Sequence, residues 1–262
     1  MRKGVKDDIK AKCPGPKKGQ YTPVQDRIRD DVIATKMQYG CLGAAKIGLI
    51  SKVDASAPTV HKVLKSAGFE NVTMRIGKVY KSFEMDNVND MWQIDYVKLG
   101  VDTVTSRKVE FLSVIDDKSR CILSDVPTIH ATTDDVIAVL EDCVKKYECP
   151  KAILSDHGTQ WAVTNGGDAR FDIWCESHGI KHIMGKVRKP TTQGKVERWH
   201  GSIRREARLP KEAPLLCYEA MMRNYVAFYN EIRPHWSCGL ETPFKTYLMG
   251  LEALQGPPPL VA

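Results

Sequence analysis

Residues 91–129 read MWQIDYVKLGVDTVTSRKVEFLSVIDDKSRCILSDVPTI. The first nine alternate apolar and polar, the period of a strand with one buried face. KVEFLSVID and CILSDVPTI are longer apolar runs of strand type, separated by DDKSR, in which Asp116 and Asp117 are read as hairpin residues. Beyond these three hairpin-ordered strands the period lengthens. TTDDVIAVLEDCVKKYE is a helix whose buried stripe is Ile137, Val139, Leu140, Val144 and Tyr147. AILSD is a short buried strand, DARFDIWCESHG a helix ending at Gly179, and KHIMG a last strand; TTQGKVERWHGSIRREARL and PLLCYEAMMRNYVAFYNEI are helices. Hairpins followed by strands alternating with helices make an α/β fold, a mixed five-stranded sheet with flanking helices, over residues 90–248.

Upstream, residues 1–22 carry seven basic and two acidic residues with scattered Pro and Gly, a composition for a flexible basic arm. Residues 23–70 divide into three short helices. Asp30 and Asp31 precede the first, VIATKMQYG; GAAKIGLIS is the second. Ser56 and Pro58 open the third, APTVHKVLKSAG, and Gly68 closes it. The arrangement fits a small all-α helix-turn-helix domain that places its last helix in the DNA major groove. In that helix Val60, Val63 and Leu64 face inward, leaving Thr59, His61, Lys62 and Lys65 to contact DNA. A helical hairpin that only packs on the next domain has the same pattern. Residues 71–89 have no sustained period and read as a linker, and 249–262 as a tail.

The net charge of +7 is concentrated. Between Lys181 and Lys211 ten Lys or Arg face only Glu197 and Glu206, a net of +8 that leaves the rest of the chain near −1. Such a block suits a phosphate backbone, although a solvated basic helix face has the same composition. No run approaches the roughly 18 apolar residues of a membrane span, and the basic N-terminus lacks the apolar stretch of a secretory signal. Eight cysteines form no CxxC pair, which argues against structural zinc and suits a reducing cytoplasm.

Within this frame three acids stand out. Asp95 lies inside an apolar strand, Asp156 ends another, and Glu197 sits in the basic helix. Acids in such places are costly unless compensated, and three brought together repel unless cations lie between them. An all-oxygen site with room for phosphate suits Mg²⁺ or Mn²⁺. Each acid by itself is weak evidence, since a single strand Asp is more often a turn or cap residue.

In order, WQIDY, ILSDHGTQW and KPTTQGKVERWHGSIRRE resemble the three catalytic segments of the Asp-Asp-Glu transposase and retroviral-integrase superfamily. YNEIRPHWSCGLETPFKTY resembles the segment that closes the catalytic region in insertion-sequence transposases, a group that also carries a helix-turn-helix ahead of the core. The resemblance covers about residues 30–248. It implies a ribonuclease-H-like fold and Asp95, Asp156 and Glu197 as catalytic residues holding two Mg²⁺ or Mn²⁺ ions. It further implies cleavage of double-stranded DNA, transfer of a 3′ end, and at least a dimer on DNA. Lys195 and Arg198 fall where the family's glutamate helix meets DNA, and Lys189, Arg204 and Arg205 extend that basic surface. His157 and Gln193 stand where the family often has asparagine, and the stretch from Asp156 to Glu197 is somewhat long, the excess falling in AVTNGGDAR. Trp161 and Trp199 read as wall or core residues; His200 and the segment with Arg233, His235 and Trp236 could meet DNA or dock on the core. These features predict a cytoplasmic enzyme, nucleoid-associated when bound. A transposase-derived regulator without catalysis, and a nuclease for RNA–DNA hybrids, are the competing readings.

Overall fold

The computed structural model describes residues 22–69, 84–156, 170–185 and 194–255. The chain forms two compact units, Met1–Ile76 and Gly77–Ala262. Among the described residues no helix is long and apolar enough to cross a membrane.

In the first unit α1 (Pro23–Gln38), α2 (Ala44–Ile50) and α3 (Ala57–Ser66) pack together. Helix α1 begins a full two turns earlier than the Asp30–Asp31 pair suggests. Thr22 and Gln25 form a reciprocal capping box and Pro23 occupies the first turn, which together satisfy the start of the helix and leave the two Asp on its surface. Val60, Val63 and Leu64 are fully buried, whereas Lys62 and Lys65 are exposed and Thr59 and His61 half-buried. Ser56 stands at the cap position of α3, but its hydroxyl meets the Thr59 hydroxyl at 3.0 Å and not a backbone N–H.

The second unit is built on β1 (Trp92–Asp102), β2 (Lys108–Asp116), β3 (Ile122–Thr128), β4 (Ala152–Ser155) and β5 (Lys181–Met184), in the order β3-β2-β1-β4-β5. The first three are antiparallel; β4 and β5 join parallel to β1. A sixth strand, the two-residue β6 (Glu212–Ala213), pairs parallel with the end of β1. It is too short for any periodicity to reveal. The strand β1 bulges between Lys98 and Val101. Gly100, at φ +78°, makes this possible, because a Cβ there would lie 2.2 Å from the Tyr218 hydroxyl.

Alternation along β1 divides the core. Trp92 and Ile94 pack with Leu112, Val114, Val136, Leu140, Phe171 and Tyr247, under α4 (Thr133–Tyr147), α5 (Arg170–Ser177) and α8 (Pro243–Gln255). Val97 packs with Phe111, Ile115, Val196, Trp199, Tyr218 and Met222, under α6 (Gly194–Ser202) and α7 (Leu215–Ala227). Each of these last two helices runs on as a single π-helical turn, Ile203–Ala207 and Phe228–Ile232. Two expected boundaries move. Residues 84–89, read as linker, are anchored in this unit: Val88 is buried, and Asn89 bonds Asp116, the Tyr147 carbonyl and the Trp92 indole. Helix α8 continues past 248 to Gln255, and Leu251 packs on the core.

Candidate active site

Gln93, Asp95 and Val97 share the face of β1 that α6 covers, opposite Trp92 and Ile94. The parallel register pairs Trp92 with Ile153 and Gln93 with Leu154; the same offset continued brings Asp156, one residue beyond β4, alongside Asp95. Glu197 is exposed on α6, while Val196, Trp199 and His200 on the same helix are buried. The three acids therefore reach one region from a strand, a strand end and a helix.

Their proximity is felt electrostatically. The Asp95 carboxyl is pushed up to about 7, first by burial, then by the Asp156 charge, with a further rise from Glu197; the Tyr96 N–H, 2.8 Å from Asp95 Oδ1, opposes the shift. Among the described residues no three His, Cys, Asp or Glu side chains are drawn tightly enough together to hold a metal ion. The donor chemistry nevertheless fits one: hard carboxylate oxygens whose mutual repulsion a divalent cation would remove.

A native group that keeps its proton to about pH 7 while the unfolded chain releases it near 3.8 destabilises the metal-free fold as pH rises through that window. His200, pushed down to about 4, contributes with the opposite sign at lower pH. The contribution of Asp95 is isolated by comparing melting midpoints of the parent and Asp95→Asn in EDTA. The variant should gain relative to the parent as pH rises from 5 to 8. A difference that does not change with pH would contradict the shift.

Behind Asp95 lies a buried polar chain that sequence reading did not find. His200 Nδ1 is 3.7 Å from Asp95 Oδ2, and its Nε2 is 3.1 Å from Ser113 Oγ. Ser113, the cross-strand partner of Asp95, donates to Asp125 at 2.7 Å, and the Trp199 indole donates to Asp125 at 2.6 Å. Burial pushes Asp125 up to about 7, against the Ser113 and Trp199 hydrogen bonds. His200 thus lies beneath its helix, and Trp199 is a core residue stacked on Tyr225. A similar chain adjoins Asp156. Ser155 bonds the Asp156 carbonyl and His182, whose other ring nitrogen is 2.5 Å from Asp172. A serine or histidine at a strand position carries no sign in sequence of which partner it meets, so neither chain was legible.

The basic residues separate. Arg198, Arg204 and Arg205 are exposed. Lys195 is not: it is buried and ion-paired with buried Asp117. Placed two residues before Glu197, about 200° around the helix, it turns toward the sheet. The reading of Lys195 as a DNA contact is corrected accordingly, and Asp117 is more than a hairpin residue. Asp116 does shape the turn, accepting from the Ser119 N–H and hydroxyl. Arg233 docks the closing segment, forming two 2.7 Å hydrogen bonds to Glu206. His157, Trp161, Lys189, Gln193 and all of AVTNGGDAR except its final arginine lie outside the described residues.

Two family profiles, each described as integrase core domain, match residues 86–190 and 178–243. The insertion element IS476 uncharacterized 39.2 kDa protein of Xanthomonas euvesicatoria is 29% identical over 175 residues, 64% of this chain and 47% of that protein. The Gag-Pro-Pol polyprotein of Mason-Pfizer monkey virus is 32% identical over 120 residues, 44% of this chain and 6% of the polyprotein. This chain therefore spans about half the length of the first relative and a small part of the second. A chain of the simian T-cell lymphotropic virus intasome, solved with PP2A regulatory subunit B56 gamma, aligns at TM-score 0.51 and 16% identity, over 88% of this chain and 76% of that one. The likeness is one of fold: a mixed sheet with flanking helices, of the ribonuclease-H-like kind found in retroviral integrase cores. With two integrase-core matches running from 86 to 243 and a relative in an insertion element, the chain belongs to the integrase/transposase superfamily.

Proposed function

We propose that this chain is a transposase or integrase that cuts DNA and transfers a 3′ end of a mobile element in a metal-dependent reaction. The observation that carries the reading is the convergence on Asp95 of the charges of Asp156 and Glu197, on the sheet face covered by a helix with exposed arginines. Asp95, Asp156 and Glu197 would hold the metal. A pair of Mg²⁺ or Mn²⁺ ions, when bound, supplies activation of the attacking hydroxyl and stabilisation of the leaving 3′ oxygen. The protein's part is to bring the three carboxylates together and orient them, and to hold the phosphate backbone through Arg198, Arg204 and Arg205, with Lys189 assigned to the same surface. Thr59, His61, Lys62 and Lys65 of α3 are assigned to recognition of double-stranded DNA, as the second helix of a helix-turn-helix. Cutting and joining two ends requires two such sites, hence at least a dimer on DNA. The enzyme acts in the cytoplasm, nucleoid-associated when bound to DNA.

The reading is tested by incubating the full chain with duplex DNA carrying the ends of its element. Nicks that leave free 3′ hydroxyls are expected with Mg²⁺ or Mn²⁺ and not with EDTA; equal cleavage in EDTA would end the metal-dependent reading. Affinity for the same DNA should fall with salt by roughly 0.9 in log K per log salt for each phosphate neutralised.

A further inference from the structure

The residues two places before two of the three acids meet on one carboxylate inside the protein. Gln93 stands one strand repeat before Asp95, on the same face of β1, and Lys195 stands two residues before Glu197 on α6. The Asp117 carboxylate joins them. Its Oδ1 accepts from Gln93 Nε2 at 2.8 Å and from Lys195 Nζ, and its Oδ2 accepts from the Met85 N–H at 2.9 Å. The Gln93 amide oxygen accepts from the Val196 N–H, in the first turn of α6, at 3.4 Å. The Asp117 N–H donates to the Met91 carbonyl at 2.9 Å, tying the turn to the head of β1. Gln93 and Asp117 are fully buried, and Lys195 is 6% exposed.

Desolvating two charges offsets most of what their attraction returns, so a buried ion pair adds little to stability over a well-packed apolar pair. What it supplies is geometry: a charged hydrogen bond has one partner and one direction, whereas apolar packing tolerates sliding. Here the constrained elements are the strand bearing Asp95 and the helix bearing Glu197. We propose that Gln93, Asp117 and Lys195 form a buried clamp that sets the position of Glu197 relative to Asp95, making Lys195 a positioning residue for the metal-binding carboxylates. The inference rests on the reading of those carboxylates as metal ligands.

The test uses the full-length protein and two ligands measured separately: Mn²⁺, followed by electron paramagnetic resonance of the free ion, and duplex DNA in EDTA at several salt concentrations. Asp117→Leu combined with Lys195→Met removes both charges at similar volume. Its melting midpoint should fall only modestly, the cost being the acceptor that Gln93 Nε2 and the Met85 N–H lose. Its Mn²⁺ affinity should fall about tenfold or more, the range seen when groups that orient metal ligands are lost. DNA affinity and its salt slope should not change. A double variant that binds Mn²⁺ as the parent does overturns the clamp. So does weakened DNA binding with a slope reduced by about 0.9, the mark of a lost phosphate contact. If the double variant does not fold, Gln93→Leu cuts the bridge to α6 while keeping the ion pair; loss of Mn²⁺ affinity supports the clamp and unchanged affinity overturns it. Glu197→Gln, run alongside, separates the two failures. Lost Mn²⁺ affinity there with none in the clamp variants sinks the clamp alone, and none in either sinks the metal reading beneath it.

Discussion

Asp156→Asn is expected to lower DNA cleavage by at least about a thousandfold, roughly 4 kcal/mol of barrier, with DNA affinity in EDTA within about twofold of the parent. The amide keeps the shape of the carboxylate but removes its charge and half its capacity for a hard cation. The same substitution removes one of the two charges that push Asp95 upward. The metal-free variant should therefore melt at or above the parent at pH 8. A loss of activity accompanied by a lower midpoint would indicate misfolding and leave the role of Asp156 unsupported. Retained cleavage would remove Asp156 from the site.

The largest effect on stability is expected at Glu206 and Arg233. Their side chains are 10% and 7% exposed and form a bidentate pair, and the Tyr225 hydroxyl adds a third hydrogen bond to Glu206 at 3.1 Å. The pair joins the π-helical turn after α6 to the end of the turn after α7. Arg233→Met leaves a buried carboxylate without its cation and should destabilise by about 3–5 kcal/mol. For a unit of this size that is a fall of about 10 °C in melting midpoint. Glu206→Leu combined with Arg233→Met should recover most of the loss, because no uncompensated charge remains. Were Arg233 instead a contact to DNA, the single variant would keep its midpoint and bind DNA less tightly, an outcome that the buried geometry forbids.

Periodicity placed β1, β2 and β3, the helix α4 and the buried strand β4 in the chain, because a strand or helix with one buried face writes its period into neighbouring residues. It could not show β6, whose two residues contain no period, nor that Leu251 belongs to the core. The early start of α1 was written in Thr22 and Gln25, but such a capping box is only a local signal and the acidic pair at 30 and 31 competed with it.

For the candidate site, the sequence by itself determined which acids stand in costly positions and that a dense basic segment surrounds the third. Resemblance of the three blocks to one superfamily then joined them. Only the tertiary structure decided which neighbours those acids have. Lys195 and Arg198 are both cations on one short helix, yet one is buried against Asp117 and the other is exposed. Their difference is one of angle around the helix relative to a sheet whose position depends on contacts 78 residues apart. Likewise His200, Ser113 and Asp125 meet behind Asp95 because three separate elements cross there. Local composition encodes the burial of a face; it does not encode the partner of a buried polar group, which is chosen by non-local packing.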